Sequence, residues 1–390
     1  VPLLDVHSRC RYKFHNFLNI QWHPEADVAA LSSAGTASSA GLADLDLAAE
    51  NPLARPSASQ LLPGTSQAEG IPRLERLLLH AANSAPAQLG PAARDLVRAG
   101  GKRVRPLLTL LAARAAAPTK RSRGRVALAL AAELIHSATL LHDDVIDDGL
   151  TRRGLPSPRV AYGNAVSVLS GDWLLASSLD LAVRSGVDGA VPSLVRTLRE
   201  LVEGEARQLA LRGSTSFTAE DSLHVGRLKT GALFAWCGEA GALAAQASPR
   251  IVQSLRLFGQ HSGCAFQIAD DLLDFEADQA TLGKAVLADV AEGKPSLPLA
   301  IALKRMPPLR DEMASLLALS AKGDPASEPD LRARTRAFAV KLTRTGALGA
   351  ARRIAERERD AALLALSEVP ESPTRELLSQ VAESLATRER

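Results

Sequence analysis

Aromatic side chains are scarce in this chain, at 3% of 390 residues, while hydrophobic residues make up 46%. A core assembled from Leu, Ala and Val favours packed helices over sheets of aromatic and β-branched strands. Cysteine is nearly absent. Cys10, Cys237 and Cys264 lie far apart, form no metal-type spacing, and fit a reduced, cytoplasmic compartment better than an oxidising one. Charge of one sign is also lacking: the formal net charge of +3 is small for this length and gives no support to nucleic acid as a partner. No uncharged apolar run reaches membrane-spanning length, and no apolar signal region opens the chain. Lysine is the last shortage. Nine lysines stand against 37 arginines, and Lys102, Lys229, Lys284 and Lys294 each fall beside Gly, Thr or Pro.

What is present divides into two stretches. Residues 1–65 are rich in Ser, Ala, Gly and Pro ("SSAGTASSAGLADL", "NPLARPSASQLLPGTSQAEG") and read as a disordered N-terminal extension. The opening on Val1 reads as a fragment or a misassigned start, with a transit peptide as a weaker alternative for the basic first residues. From about Ile71 nearly everything has apolar residues at three- and four-residue spacing, as in "VALALAAELIHSATLLHDDVID" and "SLVRTLRELVEGEARQLAL". "LLALSAKGDPASEPD" reads as a surface loop, and the final segment as a charged outer helix. No convincing strand pair and no solenoid repeat is found. The fold class predicted is all-α.

The charged chemistry concentrates in "LLHDDVIDDGLTRRG", which places Asp143, Asp144, Asp147 and Asp148 at the end of an apolar stretch. On a helix Asp143 shares a face with Asp147, and Asp144 with Asp148, and like charges at that spacing repel by a few tenths of a kcal/mol. A second cluster, Asp270, Asp271 and Asp274, lies in "FQIADDLLDF". With 22 Asp in the chain, chance supplies D-D-x-x-D about 0.07 times, and twice at ~0.002. One copy alone would read equally well as a solvated acidic face or as a site; two within apolar helices favour a site. Carboxylates without adjoining Cys or His suit hard cations, and Mg²⁺ is the default because it keeps positions for water and phosphate oxygens.

Cations accompany the acids. "GGKRVRP" sets Lys102 and Arg105 after a glycine pair, with Pro106 expected at the first helical position, an arrangement suited to an anion. His136 precedes Asp143 by seven residues and so shares its face; alone it would be a satisfied core histidine. Arg152 and Arg153, then "RLKTGALF" with Lys229 and Thr230, then "TLGKAVLADVAEGKPSLPL" with Lys284, Asp289 and Lys294, complete two diphosphate sites around one metal cluster.

In this order GGKRVRP, LLHDDVIDDGLTRRG, KTG, FQIADDLLD, LGK and EGKP resemble the trans-isoprenyl diphosphate synthases, or polyprenyl synthetases. The resemblance implies a domain over 66–390 with the isoprenoid synthase fold, antiparallel helices around a deep cavity, and a homodimer. It implies that Asp143, Asp144, Asp147, Asp270, Asp271 and Asp274 hold Mg²⁺ on an allylic diphosphate. Lys102, Arg105, His136 and Arg153 would bind isopentenyl diphosphate. Arg152, Lys229, Gln267 and Lys284 would grip the allylic diphosphate, with Thr230 beside the reacting carbons and Asp148 and Lys294 in support. The reaction expected is loss of diphosphate to an allylic cation, attack by the double bond of isopentenyl diphosphate, and loss of a proton to the departing diphosphate. In this family bulky aromatics just above the first cluster stop growth early. Here Ala138 and Thr139 stand there, with Ala131 and Ala132 deeper. The expected product is octaprenyl to decaprenyl in range, and Ala138→Phe is expected to shorten it. Geranylgeranyl is the runner-up, with Trp173 as a candidate floor. A class I terpene cyclase is the rival enzyme, although its second metal site usually mixes Asn, Ser/Thr and Glu. A non-catalytic subunit of a heteromeric synthase is the remaining alternative, disfavoured by two intact acidic clusters.

Overall fold

The structure is a computed structural model that describes residues 70–117, 122, 124–276, 288–321 and 328–387. The extension expected over 1–65 lies outside the described residues, as does Lys284.

The first four helices are α1 (Ile71–Asn83), α2 (Gly90–Arg98), α3 (Val104–Ala116) and α4 (Arg125–Ile146). A two-residue hairpin follows, β1 (Thr151–Arg152) antiparallel to β2 (Leu155–Pro156), and it is the only sheet among the described residues. Next come α5 (Pro158–Tyr162), α6 (Asn164–Arg184), α7 (Ala190–Leu211) and α8 (Ala219–Gly226). A π-helical turn, Arg227–Gly231, leads without a break into α9 (Ala232–Ala244). The remainder is α10 (Pro249–Glu276), α11 (Ala288–Glu292), α12 (Leu297–Arg305), α13 (Leu309–Ser320), α14 (Glu328–Arg344), α15 (Ala347–Ala365) and α16 (Pro373–Ala386). The described residues are therefore all-α apart from one small hairpin.

Local chemistry explains several starts. Thr218 and Asp221 form a reciprocal capping box on α8, each satisfying an N–H that the first turn leaves open. Glycines in the left-handed region precede α4 and α7, and prolines enter the first turn of α1, α5 and α12. Pro106 differs from expectation. The helix begins at Val104, so the proline is the third helical residue, still inside the turn whose N–H groups lack partners. Leu316–Ser320, expected in a loop, instead closes α13, because Leu316 is buried under that helix; residues 322–327 lie outside the described set.

Two apolar cores meet along α10. Its first half, with Leu255 and Phe258, joins the larger core built from α1–α4, α6, α7, α9 and α16. Its second half, with Ile268 and Leu272, joins the smaller core under α12–α15. Helix α9 is buried almost all round, which is the pattern of a central helix. It approaches α10 through glycines: a Cβ at Gly238 would lie 2.0 Å from the Leu255 carbonyl oxygen, and one at Gly259 2.1 Å from that of Phe234. Neither position admits even a methyl group unless the helices separate. Helices α4 and α6 are long and apolar enough to cross a membrane by length and composition; they pack on one another, α4 mostly buried and α6 with one face exposed.

Candidate active site

The functional groups gather where α4, α7, α8, the π turn and α10 converge. Arg105, His136, Asp143, Asp147, Arg152, Lys229, Thr230, Gln267, Asp270 and Asp271 all line one cavity of about 420 Å³. The two acidic clusters, separated by more than 120 residues of chain, thus open onto one space. Asp144, which is buried, and Asp274 and Arg153, which are half-buried, are not among the residues that line it.

The first cluster sits at a helix end. α4 stops at Ile146, Asp147 is its C-cap, and Asp148 turns left-handed at φ +54°. Asp148 therefore shares no helical face with Asp144, contrary to expectation, because the helix has ended between them. It points outward, 83% exposed, to Arg159 at 3.0 Å. Carboxylates at a helix C-terminus oppose the macrodipole by roughly 0.3–1 kcal/mol each, so cations are drawn in. Arg152 donates from Nε and approaches with Nη2, both at 2.7 Å, to Oδ1 of the buried Asp144, whose Oδ2 has no partner. Arg212 donates to Asp147 Oδ1 at 3.2 Å and to the Ile146 carbonyl at 3.3 Å, and Lys294 lies 3.1 Å from Asp147 Oδ2. Burial works against the Lys294 charge, but Glu292 and Asp147 outweigh it and hold this lysine protonated beyond its ordinary range. Burial pushes the Asp143 carboxyl up to about 6, with Lys229 pulling the other way.

The second cluster lies in the last two turns of α10, and neutral donors reach Asp271 and Asp274. Thr230 Oγ1 donates to Gln267 Oε1 at 2.6 Å, and Gln267 Nε2 donates to Asp271 Oδ1 at 2.9 Å. The Leu297 N–H reaches Asp271 Oδ2 at 3.2 Å, and the Asp289 N–H reaches Asp274 Oδ2 at 3.1 Å. Burial raises the Asp271 carboxyl to about 7, and Asp274 and Asp271 help burial drive Asp289 well above the carboxylate range against the pull of Lys294. Such carboxyls are poised to exchange a proton for a metal. Among the described residues no three acidic or imidazole groups converge into a ready cage. The spread suits an ion that takes a few carboxylates and completes its shell with phosphate oxygens.

Lys229 and Thr230 project from the π turn, a geometry often found at functional positions. The turn lies against Gly204 of α7, where a Cβ would come 2.9 Å from the Lys229 backbone nitrogen. Lys229 pairs with Glu205 on the same helix. At the opposite wall Arg105 stacks over Phe234, 4.9 Å from the ring centre, and its buried Nε has no hydrogen-bond partner. Burial, then Arg105, Arg153, Arg103 and Arg152, hold His136 well below its ordinary value, so the imidazole is neutral. A neutral donor among arginines, with an orphaned guanidinium N–H, describes a place for an anion. Lys102 is half-buried and outside the cavity lining.

Several participants were invisible in the sequence. Gln208 of α7 lines the cavity, and Arg212 joins Asp147 to the Glu292 carbonyl, 80 residues away. Thr139 and Leu140 form the wall one turn before Asp143, whereas Ala138 is 2% exposed and lies in the core with Ala131 and Ala132. Trp173 packs against that core from α6, not at the cavity.

Known proteins resemble this chain in sequence and in fold. Residues 86–329 match the profile of the polyprenyl synthetase family. The chain is 35% identical to octaprenyl diphosphate synthase of Escherichia coli (strain K12) over 295 residues, 76% of this chain and 88% of that one. A polyprenyl synthase from Caulobacter crescentus CB15, solved in complex with calcium and isoprenyl diphosphate, superposes with a TM-score of 0.75 at 34% identity, covering 87% of this chain and 99% of that one. A decaprenyl diphosphate synthase from Rhodobacter capsulatus gives a TM-score of 0.75 at 34% identity, covering 85% and 100%.

Proposed function

The chain belongs to the polyprenyl synthetase family, and from that premise we propose that it is a trans-polyprenyl diphosphate synthase. It adds isopentenyl diphosphate head-to-tail to an allylic diphosphate and makes a medium- or long-chain product, octaprenyl to decaprenyl in range. The observation that carries this reading is the single cavity onto which both acidic clusters, Lys229 and the arginine–histidine wall open.

Asp143 and Asp147 on one side and Asp270 and Asp271 on the other would hold Mg²⁺, which when bound absorbs the charge of the departing diphosphate. Asp144 and Asp274 act one layer back, the first by fixing Arg152 and the second by fixing the Asp289 backbone. Lys229, Arg152 and Gln267 grip the allylic diphosphate, and Arg105, His136, Arg153 and Lys102 take the homoallylic one. Lys284, outside the described residues, is assigned to the allylic side from its motif. Charge builds on the leaving diphosphate as the C–O bond breaks, and these fixed cations stabilise it without reorganising. Thr230, held by Gln267, faces the carbons that turn cationic, and the proton finally lost goes to the released diphosphate, so no dedicated carboxylate base is required.

Chain length follows from the wall beside α4. Thr139 and Leu140 leave it without an aromatic stop. Purified protein with Mg²⁺, labelled isopentenyl diphosphate and allylic primers of several lengths should give products of octaprenyl size or above on reversed-phase thin-layer chromatography. Thr139→Phe should shorten them. Absence of isopentenyl incorporation overturns the function, and an unchanged length in the variant overturns the tunnel placement.

The active unit is a homodimer in the cytoplasm. Val195, Val202 and Leu209 repeat every seven residues along one exposed face of α7, and Val168, Leu169 and Val183 are exposed on α6, which packs beside it. An apolar surface of that extent on neighbouring helices suits a second copy of the chain. Sedimentation should give twice the monomer mass, and Val202→Asp should reduce it to one.

A further inference from the structure

The wall assigned above to isopentenyl diphosphate contains a buried carboxylate that an anion site has no evident use for. Glu133 is 3% exposed and lies one turn before His136 on α4. Its Oε1 accepts from Arg103 Nη1 at 2.7 Å, and Arg103, 4% exposed, also donates from Nη2 to the Val97 carbonyl at 3.0 Å. Arg103 occupies the left-handed region at φ +48°, a conformation uncommon for a residue with a Cβ. It is also the N-cap of α3, between Lys102 and Arg105. A Cβ placed on Gly101 would lie 3.1 Å from Arg153 Nη2 and 3.2 Å from Arg103 Nη1, so both guanidiniums rest on the same stretch of glycine backbone. The field of Glu133 reaches Arg105 and Arg153 as well, supporting the charge that burial disfavours in each.

We propose that the Glu133–Arg103 pair is the positioning element of the homoallylic diphosphate subsite: it pins Arg103 away from the ligand, imposes the turn that separates Lys102 from Arg105, and sets the ledge against which Arg153 lies. Arg103 is thereby a scaffold residue in a motif whose neighbours bind substrate. The inference rests on the reading of this wall as the isopentenyl diphosphate site.

Coulomb's law and positioning predict opposite signs. Deleting a negative charge beside an anion site should tighten anion binding if the charge acts only through its field. If it acts through Arg103, binding weakens. The test is steady-state kinetics of Glu133→Gln and Arg103→Met with each substrate varied separately, alongside thermal melts. The KM for isopentenyl diphosphate should rise by about tenfold or more in both variants, while the KM for the allylic primer changes by less than about twofold. An unchanged or lower KM for isopentenyl diphosphate overturns the proposal, and so does an equal rise for both substrates. Should a single variant fail to fold, the double variant Glu133→Gln with Arg103→Gln removes both members of the pair together, and the same split is required of it. Failure of the unaltered enzyme to incorporate isopentenyl diphosphate would instead refute the function itself.

Discussion

The acidic run at the end of α4 and the one near the end of α10 share the pattern Asp-Asp-x-x-Asp but are held by different chemistry. Asp144 and Asp147 meet arginine and lysine. Asp271 and Asp274 meet an amide side chain and backbone N–H groups. Both runs lie in the last turns of their helices, so the difference comes from the adjoining segments: Arg152, Arg212 and Lys294 reach the first run, and Asp289 and Leu297 present backbone N–H groups to the second. A shared motif therefore specifies ligand type but not the partners around it. Burial raises a carboxyl in each run, Asp143 to about 6 and Asp271 to about 7, and the partners differ: cations meet Asp144 and Asp147, neutral donors meet Asp271.

The largest effect that tests this contrast is loss of the cavity-facing member on each side. Asp143→Asn and Asp270→Asn should each lower the rate of condensation by roughly 100- to 1000-fold, measured by labelled isopentenyl diphosphate incorporation. Full activity in both would mean that the two runs do not act on one ligand. Next is Arg212→Ala. It frees Asp147 and the end of α4, and the divalent-cation concentration for half-maximal binding should rise by roughly tenfold. Mn²⁺ titration by electron paramagnetic resonance reads this without turnover. The same change should leave the KM for isopentenyl diphosphate alone, since Arg212 contacts the other side of the cavity.

Protonation gives a smaller, signed effect. In the metal-free protein the Asp271 carboxyl stands at about 7 against 3.8 in an unstructured chain, so the native state holds the proton more tightly. Its contribution to stability is complete below the unfolded value and disappears as pH rises through about 7. Asp271→Asn should accordingly raise the melting temperature by roughly 2–4 °C at about pH 8 and leave it unaltered near pH 4. An equal gain at both pH values would show that the carboxyl is not proton-loaded. The smallest effect is at Asp148. Its exposed pair with Arg159 should contribute less than about 0.5 kcal/mol, and Asp148→Ala should keep both melting point and turnover close to the parent.

Much of the catalytic wall was legible because its residues are rare or improbable in composition. Two clusters of acids in apolar helices and a few lysines in an arginine-rich chain stand out without any structure. Arg212 did not, being one of 37 arginines whose role depends on meeting Asp147 from another helix. Glu133 did not either, since a single acid in an apolar helix gives no hint of its partner 30 residues earlier. The end of α4 was misplaced by two residues because periodicity continued through Asp148, while the chain turns left-handed at that residue. Thr139 and Ala138 are neighbours in sequence, and only the packing of α6 on α4 decides which of them faces the cavity.

The π turn at Arg227–Gly231 carries a consequence for anyone recombining such genes. Its i-to-i+5 bonding accommodates one residue more than an α-helical turn would. Deleting one residue there would return the segment to ordinary winding with the flanking helices nearly in register, but it would re-aim Lys229 and Thr230, which the wide turn presents to the cavity. A change of length in this five-residue window is therefore felt at the cavity before it is felt in the packing.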